Sequence, residues 1–394
     1  MSARGLFRGP VLVPALIGLG ALGLAAALTS RPVETHPRIT TTLLWHKDIA
    51  PILQRRCFSC HSPNNVAFSL ATFSEARPWA AAIREEVLTR HMPPWSAVAG
   101  YGRFRNDPSP TQGEWDLLVA WVDGGAPSGQ TLAEEAQAPV FVSEMPMWEH
   151  GEPDLVLSAP AATAVPAGAG DEVKHFEIQT PFKTAQRVHG LAFKPGERRV
   201  VRRAAIYEAG TNRWLFSWTP WATAMHLPEG VAYTLPAGAK LILEVGYHGA
   251  EEAVSDTSEV GLYVDDTASG AAATTMVLEA AATDLPAGAG PTRIRAEVVL
   301  DAATGLQAVY PRLGAAARSL ELTAHLPDGS VRPLLWLRDY RTDWPSPYVY
   351  TDPVTLPGGT RLVMTAYEAN PGDAAVKVQP RLELVRVPPT ATTF

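Results

Sequence analysis

The chain contains only two cysteines in 394 residues, and both lie in one short stretch, as Cys57 and Cys60. A framework of disulfide bonds, which holds many small secreted domains together, is therefore excluded. A chain of this length must instead build hydrophobic cores, and its length is enough for two or three domains. Its composition, 46% hydrophobic and 19% charged, fits globular domains rather than a disordered chain.

The two cysteines belong to a Cys-x-x-Cys-His motif, Cys57-Phe58-Ser59-Cys60-His61. Thiols at this spacing lie on one turn and can bond both vinyl groups of a haem, while the adjacent histidine binds the iron. A thioredoxin-type redox pair would need a βαβ context, which does not precede the motif. A structural zinc site would need about four ligands, and there is no second cysteine pair. The motif therefore predicts one covalently bound haem c, with His61 as the proximal iron ligand.

The second axial ligand is expected downstream, in the stretch Arg90-His91-Met92-Pro93-Pro94-Trp95. Methionine–histidine ligation is the pattern of cytochromes c and raises the reduction potential. The two prolines cannot continue a helix and stiffen the loop that carries Met92. We therefore predict Met92 as the distal ligand, with His91 as the alternative. A methionine that only fills space in a core is the competing interpretation of Met92.

The N-terminus carries Arg4 and Arg8 ahead of a long uncharged stretch, of which Val11 to Leu28 is the apolar part. That part is long for the apolar region of a signal peptide, roughly 7–15 residues, and slightly short for a membrane span of about 20. The sequence favours an uncleaved transmembrane anchor over residues 1–30, followed by a tether over 31–42. A signal peptide cleaved near Ala25-Ala26-Ala27 is the alternative. Both place the rest of the chain in the periplasm, either held at the inner membrane or soluble, because the positive charges stay in the cytoplasm.

Residues 43–127 show helical patterns at both ends. Ile49, Ile52 and Leu53 have the i, i+3, i+4 spacing of one helix face. Thr111 to Glu114 forms a capping-box pattern, which predicts a helix that begins there. The following stretch, residues 128–152, is expected to be a linker.

Beyond Pro153 apolar and polar residues alternate with a period of two, which is typical of strands with one buried face. Arg293 to Val298 alternates in polarity, and so does Val376 to Val387. Leu320 to Leu326 also alternates and meets the turn Pro327-Asp328-Gly329, after which a second strand is expected. Short strands separated by turn signals predict β-sandwiches. An Ala- and Gly-rich stretch over 265–291 divides this region into two sandwiches, over residues 153–268 and 269–394.

Several stretches together resemble a bacterial family that joins a cytochrome c domain to a region similar to copper type II, ascorbate-dependent monooxygenases. The resemblance starts with Trp45 to Leu53, the Cys-x-x-Cys-His motif and His91 to Trp95. It continues through Leu227-Pro228-Glu229-Gly230, Leu235-Pro236-Ala237-Gly238 and Asp256 to Leu262. It covers nearly all of the chain after residue 43. The family's second region is similar to the catalytic core of peptidylglycine and dopamine hydroxylating monooxygenases, which consists of two packed β-sandwiches.

The resemblance also implies two copper sites, and this chain departs from both. The histidine pair of the first site corresponds to Arg202 and Arg203, and its third histidine corresponds to Gly246. The His-x-His of the second site corresponds to Arg312 and Gly314, and no Asp-Glu-Met stretch follows Asn370-Pro371. Copper needs imidazole and thioether ligands, and guanidinium has no lone pair to donate. We therefore expect no copper, a degenerate monooxygenase region and no catalytic residues.

The sequence thus predicts an α + β multidomain protein: an N-terminal transmembrane helix, an all-α mono-haem cytochrome c domain over 43–127, and two jelly-roll-like β-sandwiches. Electron transfer with periplasmic or membrane redox proteins is the expected role, as an accessory or scaffold subunit of a respiratory or photosynthetic membrane complex. A copper monooxygenase fed by its own haem and a structural subunit with an idle haem are the alternatives. No basic face points to nucleic acid. Four other histidines of the β-rich region match no ligand position, and a metal site among them is the minority interpretation: His189, His226, His248 and His325.

Overall fold

The computed structural model of the protein describes residues 39–135, 148–222, 224–265 and 269–389. The predicted anchor or signal segment over 1–30, and the tether up to residue 38, lie outside the described residues. No helix within the described residues is long and apolar enough to span a membrane.

The first part of the described chain is helical. A π-helical turn, Trp45–Ile49, runs directly into the first α-helix, and Pro51 lies in the first turn of that helix, where its missing N–H is not needed. A 3₁₀ turn, Arg77–Trp79, joins two later helices. The α-helices are α1 Ala50–Arg56, α2 Phe73–Ala76, α3 Ala80–Leu88, α4 Gln112–Asp123 and α5 Leu132–Glu135.

The capping box predicted at the start of α4 is confirmed. The Thr111 hydroxyl accepts a hydrogen bond from the backbone N–H of Glu114 at 3.3 Å, and the Glu114 carboxylate accepts one from the N–H of Thr111 at 2.8 Å. The helices enclose a small core around Trp45 and Trp121, whose ring centroids lie 5.7 Å apart. The indole N–H of Trp121 donates to the carbonyl of Pro127 at 3.0 Å, so this buried donor is satisfied.

The expectation of an all-α domain over 43–127 needs correction. The helices are short, and residues 93–108, between α3 and α4, form an irregular segment without a helix that packs on the β-rich region. Trp95 of this segment is buried in a core built mainly by β-strands, and Phe104 packs against that core. Burying these large apolar side chains stabilises the contact between the segment and the sheet.

Two sheets form the first β-sandwich. One has the order β1-β11-β4-β8-β12, with β7 beside β4, and the other has the order β3-β9-β5-β6. A short ladder pairs β2 with β10. The strands are β1 Leu155–Ser158, β2 Thr163–Val165, β3 Glu172–Gln179, β4 Gln186–Lys194, β5 Val201–Glu208, β6 Arg213–Trp218, β7 Ala224–His226, β8 Val231–Leu235, β9 Lys240–Tyr247, β10 Val254–Asp256, β11 Glu259–Asp265 and β12 Ala271–Ala272.

Two four-stranded sheets form the second β-sandwich, with the orders β13-β22-β16-β19 and β15-β20-β17-β18, and a short ladder pairs β14 with β21. The strands are β13 Thr274–Glu279, β14 Thr283–Leu285, β15 Ala289–Val299, β16 Thr304–Arg312, β17 Ala317–His325, β18 Val331–Arg338, β19 Tyr348–Leu356, β20 Arg361–Asn370, β21 Val376–Val378 and β22 Arg381–Val387. The β-sandwich prediction is therefore confirmed, including the hairpin of β17 and β18 around Asp328.

The stretch over 265–291 is more structured than a spacer. It contains β12, β13 and β14, and β12 pairs in parallel with β8 of the first sandwich. Strand pairing thus continues past residue 268, where the sequence had placed the end of that sandwich.

The two sandwiches share buried contacts. The ring of Trp214 on β6 stacks on that of Tyr310 on β16, with centroids 5.0 Å apart. The backbone N–H of Trp214 donates to the carboxylate of Glu383 on β22 at 3.3 Å. One hydrophobic core therefore runs from the first sandwich into the facing sheet of the second, through Ala308, Tyr310, Val349 and Val385.

Candidate functional site

A cavity of about 490 Å³ lies where the helical part meets the β-rich region. All three parts of the predicted haem site face it: both cysteines, His61 and Met92. Apolar side chains from α1 and α3 complete the helical wall, among them Leu53, Ile83 and Val87. A volume of this size is typical of sites that hold a small molecule or cofactor.

The cysteines are placed by a tight turn at the end of α1. The N–H of Cys57 donates to the carbonyl of Leu53 at 2.7 Å, and the N–H of His61 donates to the carbonyl of Cys57 at 2.9 Å. Burial raises the pKa of both thiols, each to about 12. The thiols are therefore protonated at neutral pH, which is opposite to the low pKa of a redox-active cysteine pair.

His61 is held with one nitrogen committed to the protein. Its Nδ1 lies 2.9 Å from the carbonyl oxygen of Phe68, which can only accept, so Nδ1 carries the proton. The Nε2 lone pair is then free to bind a metal, the arrangement that orients and strengthens a histidine ligand. Burial lowers the pKa of His61, which keeps the imidazole neutral and able to donate its lone pair.

The two candidates for the second axial position lie in different surroundings. Met92 lines both the cavity that the cysteines line and the polar pocket next to it. Of the two, His91 lines only the polar pocket, and its side chain is 61% exposed, with Nδ1 3.6 Å from a carboxylate oxygen of Glu86. The geometry therefore favours Met92 over His91.

The loop that carries Met92 is anchored on the second sandwich. Just beyond it, the ring of Trp95 packs against that of Tyr348 on β19, with centroids 4.7 Å apart. Backbone hydrogen bonds continue the attachment: the N–H of Val98 donates to the carbonyl of Trp336 at 2.8 Å, and the N–H of Arg105 to that of Val349 at 2.8 Å. The position of Met92 thus depends on the β-rich region as well as on the helices.

The β-rich region also supplies one wall of the cavity, which spacing along the chain does not predict. This wall, the β-wall, consists of Arg202, Trp221, Arg341, Asp343 and Trp344. Arg202 lies on β5, Trp221 follows β6, and the other three lie between β18 and β19. Of these residues, the sequence singles out only Arg202, as a lost copper ligand. No local pattern links the five positions, because they are far apart in the chain.

The residues present fit a covalently bound haem. The donor set is two adjacent thiols, a neutral imidazole with a free nitrogen and a thioether, in a cavity with apolar helical walls. This is the chemistry of a haem c site with histidine–methionine ligation. The described residues contain no group of three or more histidine, cysteine and carboxylate side chains arranged to hold a bare metal ion.

Two of the positions that the resemblance assigns to the first copper site touch each other. A β-carbon on Gly246 would lie 2.7 Å from Cγ and 2.9 Å from Nε of Arg203. The guanidinium of Arg203 extends past this glycine to pair with Glu244 at 2.6 Å. Burial alone would raise the pKa of Glu244, but the hydrogen bond and charge of Arg203 outweigh it and hold that pKa below its usual value.

Of the two positions that the resemblance assigns to the second copper site, only Arg312 contacts other described side chains. Nη1 of Arg312 donates to the hydroxyl of Tyr207 and lies 3.7 Å from a carboxylate oxygen of the buried Glu383. The guanidinium lies 5.0 Å from the ring centroid of Tyr207. Gly314, in contrast, has open space where a side chain would be. Cations paired with carboxylates thus lie where the resemblance placed copper ligands.

The other histidines of the β-rich region contact aromatic rings or polar side chains, although the buried Nε2 of His226 lacks a hydrogen-bond partner within the described residues. His226 contacts His150 and His189, with ring centroids 4.0 and 5.5 Å away, and burial together with these neighbours lowers its pKa to about 4. Nδ1 of His248 lies 2.8 Å from a carboxylate oxygen of Asp171. Nε2 of His325 lies 3.4 Å from the hydroxyl of Thr323.

Comparisons with known proteins identify no family. No family model and no curated protein matches the chain. Among solved structures, it is similar to the major capsid protein P2 of bacteriophage PM2, at 12% identity over 61% of this chain and 98% of that one, with a TM-score of 0.29. It is also similar to N-glycanase F (PNGase F), at 9% identity over 59% of this chain and 96% of that one, with a TM-score of 0.27. Similarities this low say nothing about what this chain does.

Proposed function

We propose that this protein is a mono-haem c-type cytochrome, held outside the bacterial cytoplasm, whose β-rich region is a copper-free relative of monooxygenase domains. Its role is electron transfer, as an accessory or scaffold subunit of a respiratory or photosynthetic membrane complex. The observation that carries the proposal is the single cavity that Cys57, Cys60, His61 and Met92 line together.

A bound haem would supply one-electron exchange between ferric and ferrous iron. The chain's own residues would set its environment. The backbone of Phe68 fixes the ring of His61. The thioether of Met92, as second axial ligand, would favour the ferrous state. The apolar side chains of the helical wall would limit the contact of the haem with water.

An exposed aromatic pair borders the cavity and suits brief contact with redox partners. The rings of Phe68 and Trp79 lie 4.6 Å apart, and both residues line the cavity. Phe68 is 51% exposed and Trp79 is 46% exposed, so the two adjacent rings form a small apolar patch. An apolar surface next to a redox centre allows weak, short-lived complexes of the kind that electron carriers form.

The test is spectroscopic and chemical. The purified full-length protein, produced in a host that matures c-type cytochromes, should contain one iron per chain and show a c-type α band when reduced. The haem should stay with the polypeptide in acid–acetone. The double variant Cys57→Ala with Cys60→Ala should lose that retention, while Cys57→Ala alone should keep a single thioether bond and a shifted α band. Haem that is extractable from the wild type, or absent from it, would contradict the proposal.

A further inference from the structure

Two residues of the β-wall carry buried hydrogen-bond donors. Within the described part of the chain, Nε of Arg202 and Nε1 of Trp221 are both buried and lack a hydrogen-bond acceptor. Trp221 is 9% exposed, so its indole N–H has little access to water. A buried donor without an acceptor is unfavourable, so two such donors on one wall indicate that a bound ligand supplies acceptors.

The charges around the cavity point to an anionic ligand. Most charged side chains that line it have partners of opposite charge: Arg56 pairs with Glu114 at 3.0 Å, and Arg341 pairs with Asp343 at 2.6 Å. Glu86, the remaining carboxylate of the lining, lies on the helical side near His91.

Arg202 is the cation of this lining with the weakest pairing. Its Nη1 lies 3.5 Å from Asp171, at the limit of a hydrogen bond, and the side chain of Asp171 is 64% exposed. That carboxylate also accepts from the ring of His248 at 2.8 Å. Asp343 of the same wall also attracts Arg202, but Arg341 holds that carboxylate at 2.6 Å. Arg202 thus keeps its Nε without an acceptor among the described residues, and a charged donor of this kind favours a carboxylate.

The backbone and an aromatic ring hold Arg202 in this position. The pairing of β5 with β9 shifts register between Val201 and Arg203, so Arg202 lies at a β-bulge, a device that re-aims a side chain near binding sites. Its guanidinium lies 5.6 Å from the ring centroid of Trp344, which also lines the cavity. Its charge reaches the opposite wall, where it partly opposes the burial that raises the pKa of Cys60.

We propose that Arg202 and Trp221 bind the carboxylate side chains of the haem, so that the first β-sandwich is part of the haem site. This inference rests on the proposed function. A haem has apolar faces and two carboxylates at one edge, and a guanidinium with an indole N–H provides the donors that such an edge needs. The arginine at a position aligned with a copper ligand is then a binding residue for a different cofactor.

The experiment uses the full-length, haem-loaded protein and optical redox titration. Loss of a cation beside the haem favours the ferric state. In Arg202→Gln, we expect the ratio of reduced to oxidised haem at a fixed potential to fall about tenfold, a shift of about 59 mV for one electron. Trp221→Phe keeps the shape of the site and removes one donor. It should lower the ratio of reduced to oxidised haem about threefold, in line with one lost hydrogen bond. Arg202→Lys should have a reduction potential close to that of the wild type, because lysine keeps the positive charge.

Controls separate this inference from the proposed function. Arg361→Gln removes an arginine of the second β-sandwich that pairs with Glu297 and does not line the cavity. It should leave the reduction potential unchanged. Resonance Raman bands of the haem carboxylates should shift in Arg202→Gln and in Trp221→Phe only. A wild type without covalent haem would overturn the proposed function itself. This inference alone would be overturned if the wild type carries full haem but both variants keep its reduction potential and its carboxylate bands.

Discussion

The side chain of Arg203 crosses directly over the backbone of Gly246, with its Cγ only 2.7 Å from where a β-carbon would lie. Both positions align with histidines of one copper site in the family that the sequence resembles. The glycine provides the space that the arginine needs to reach Glu244. The two positions are therefore adapted to each other, and restoring a side chain at one requires a change at the other.

Gly246→Ala should destabilise the protein, because Cγ lies near the rigid end of the Arg203 side chain. We expect a loss of about 1–3 kcal/mol in the free energy of unfolding, measured by denaturant titration. In an Arg203→Ala background, Gly246→Ala should lower the free energy of unfolding only slightly further, since the obstructing side chain is gone. Gly314→Ala is the matched control at another copper-aligned position, and it should change stability by less than about 0.5 kcal/mol. Equal effects of the two glycine variants would contradict this account.

Met92→Ala should remove the weak far-red charge-transfer band of the oxidised protein and lower the reduction potential, because a thioether favours the ferrous state. His91→Ala is the control, and it should leave both unchanged, since that ring is largely exposed and lines another pocket. Absorption spectra and redox titration provide the measurements. An unchanged spectrum in Met92→Ala with a changed one in His91→Ala would reverse the assignment.

Incubation with excess copper followed by extensive dialysis should leave less than stoichiometric copper on the protein. Guanidinium groups do not lose their proton in proteins, so no pH turns Arg202, Arg203 or Arg312 into a copper ligand. Elemental analysis should give about one iron per chain. Near-stoichiometric copper together with ascorbate-dependent oxygen uptake would support the monooxygenase alternative instead.

Glu368 should make stability depend on pH. It lies on β20, is 1% exposed, and burial raises its pKa to about 7, with Arg318 opposing part of the rise. Its folded pKa exceeds the ordinary value of 4.5, so the stability linked to its proton is present below about pH 4.5 and is lost as pH rises through 7. Glu368→Gln should be more stable than the wild type at pH 8, by up to about 3 kcal/mol, and similar to it at pH 4.

The pH prediction is checked by denaturant unfolding at several pH values. Glu297→Gln provides the control, because the Glu297 side chain is 47% exposed. A constant difference between Glu368→Gln and the wild type across this range would show that Glu368 does not titrate in it.

If the N-terminal segment is an uncleaved anchor, the full-length protein should stay in the membrane fraction through high-salt and carbonate washes. Its N-terminal peptide should then be detectable by mass spectrometry. Replacement of Leu22 and Leu24 by aspartate should release the protein, because charges within a span are costly. Release of the wild type by salt alone, with a mature start near residue 28, would favour the cleaved signal peptide.

The sequence by itself was enough for the local features. The capping box at Thr111, the alternation along β17 and the turn at Asp328 depend on neighbouring residues, and the structure confirms each. The proposed haem attachment is local as well, because Cys57, Cys60 and His61 lie on one turn. Such features need no knowledge of distant contacts, since spacing alone sets which side chains share a face.

Tertiary structure decided what surrounds the candidate site. Residues 93–108 leave the helical part because Trp95 and Phe104 find a core between strands far away in the sequence. The β-wall joins Arg202 to Trp344, residues that no local pattern relates. The fit of Arg203 over Gly246 depends on the register of β5 against β9. Burial and cross-strand contact arise only when separate segments pack, so they could not be predicted from spacing along the chain.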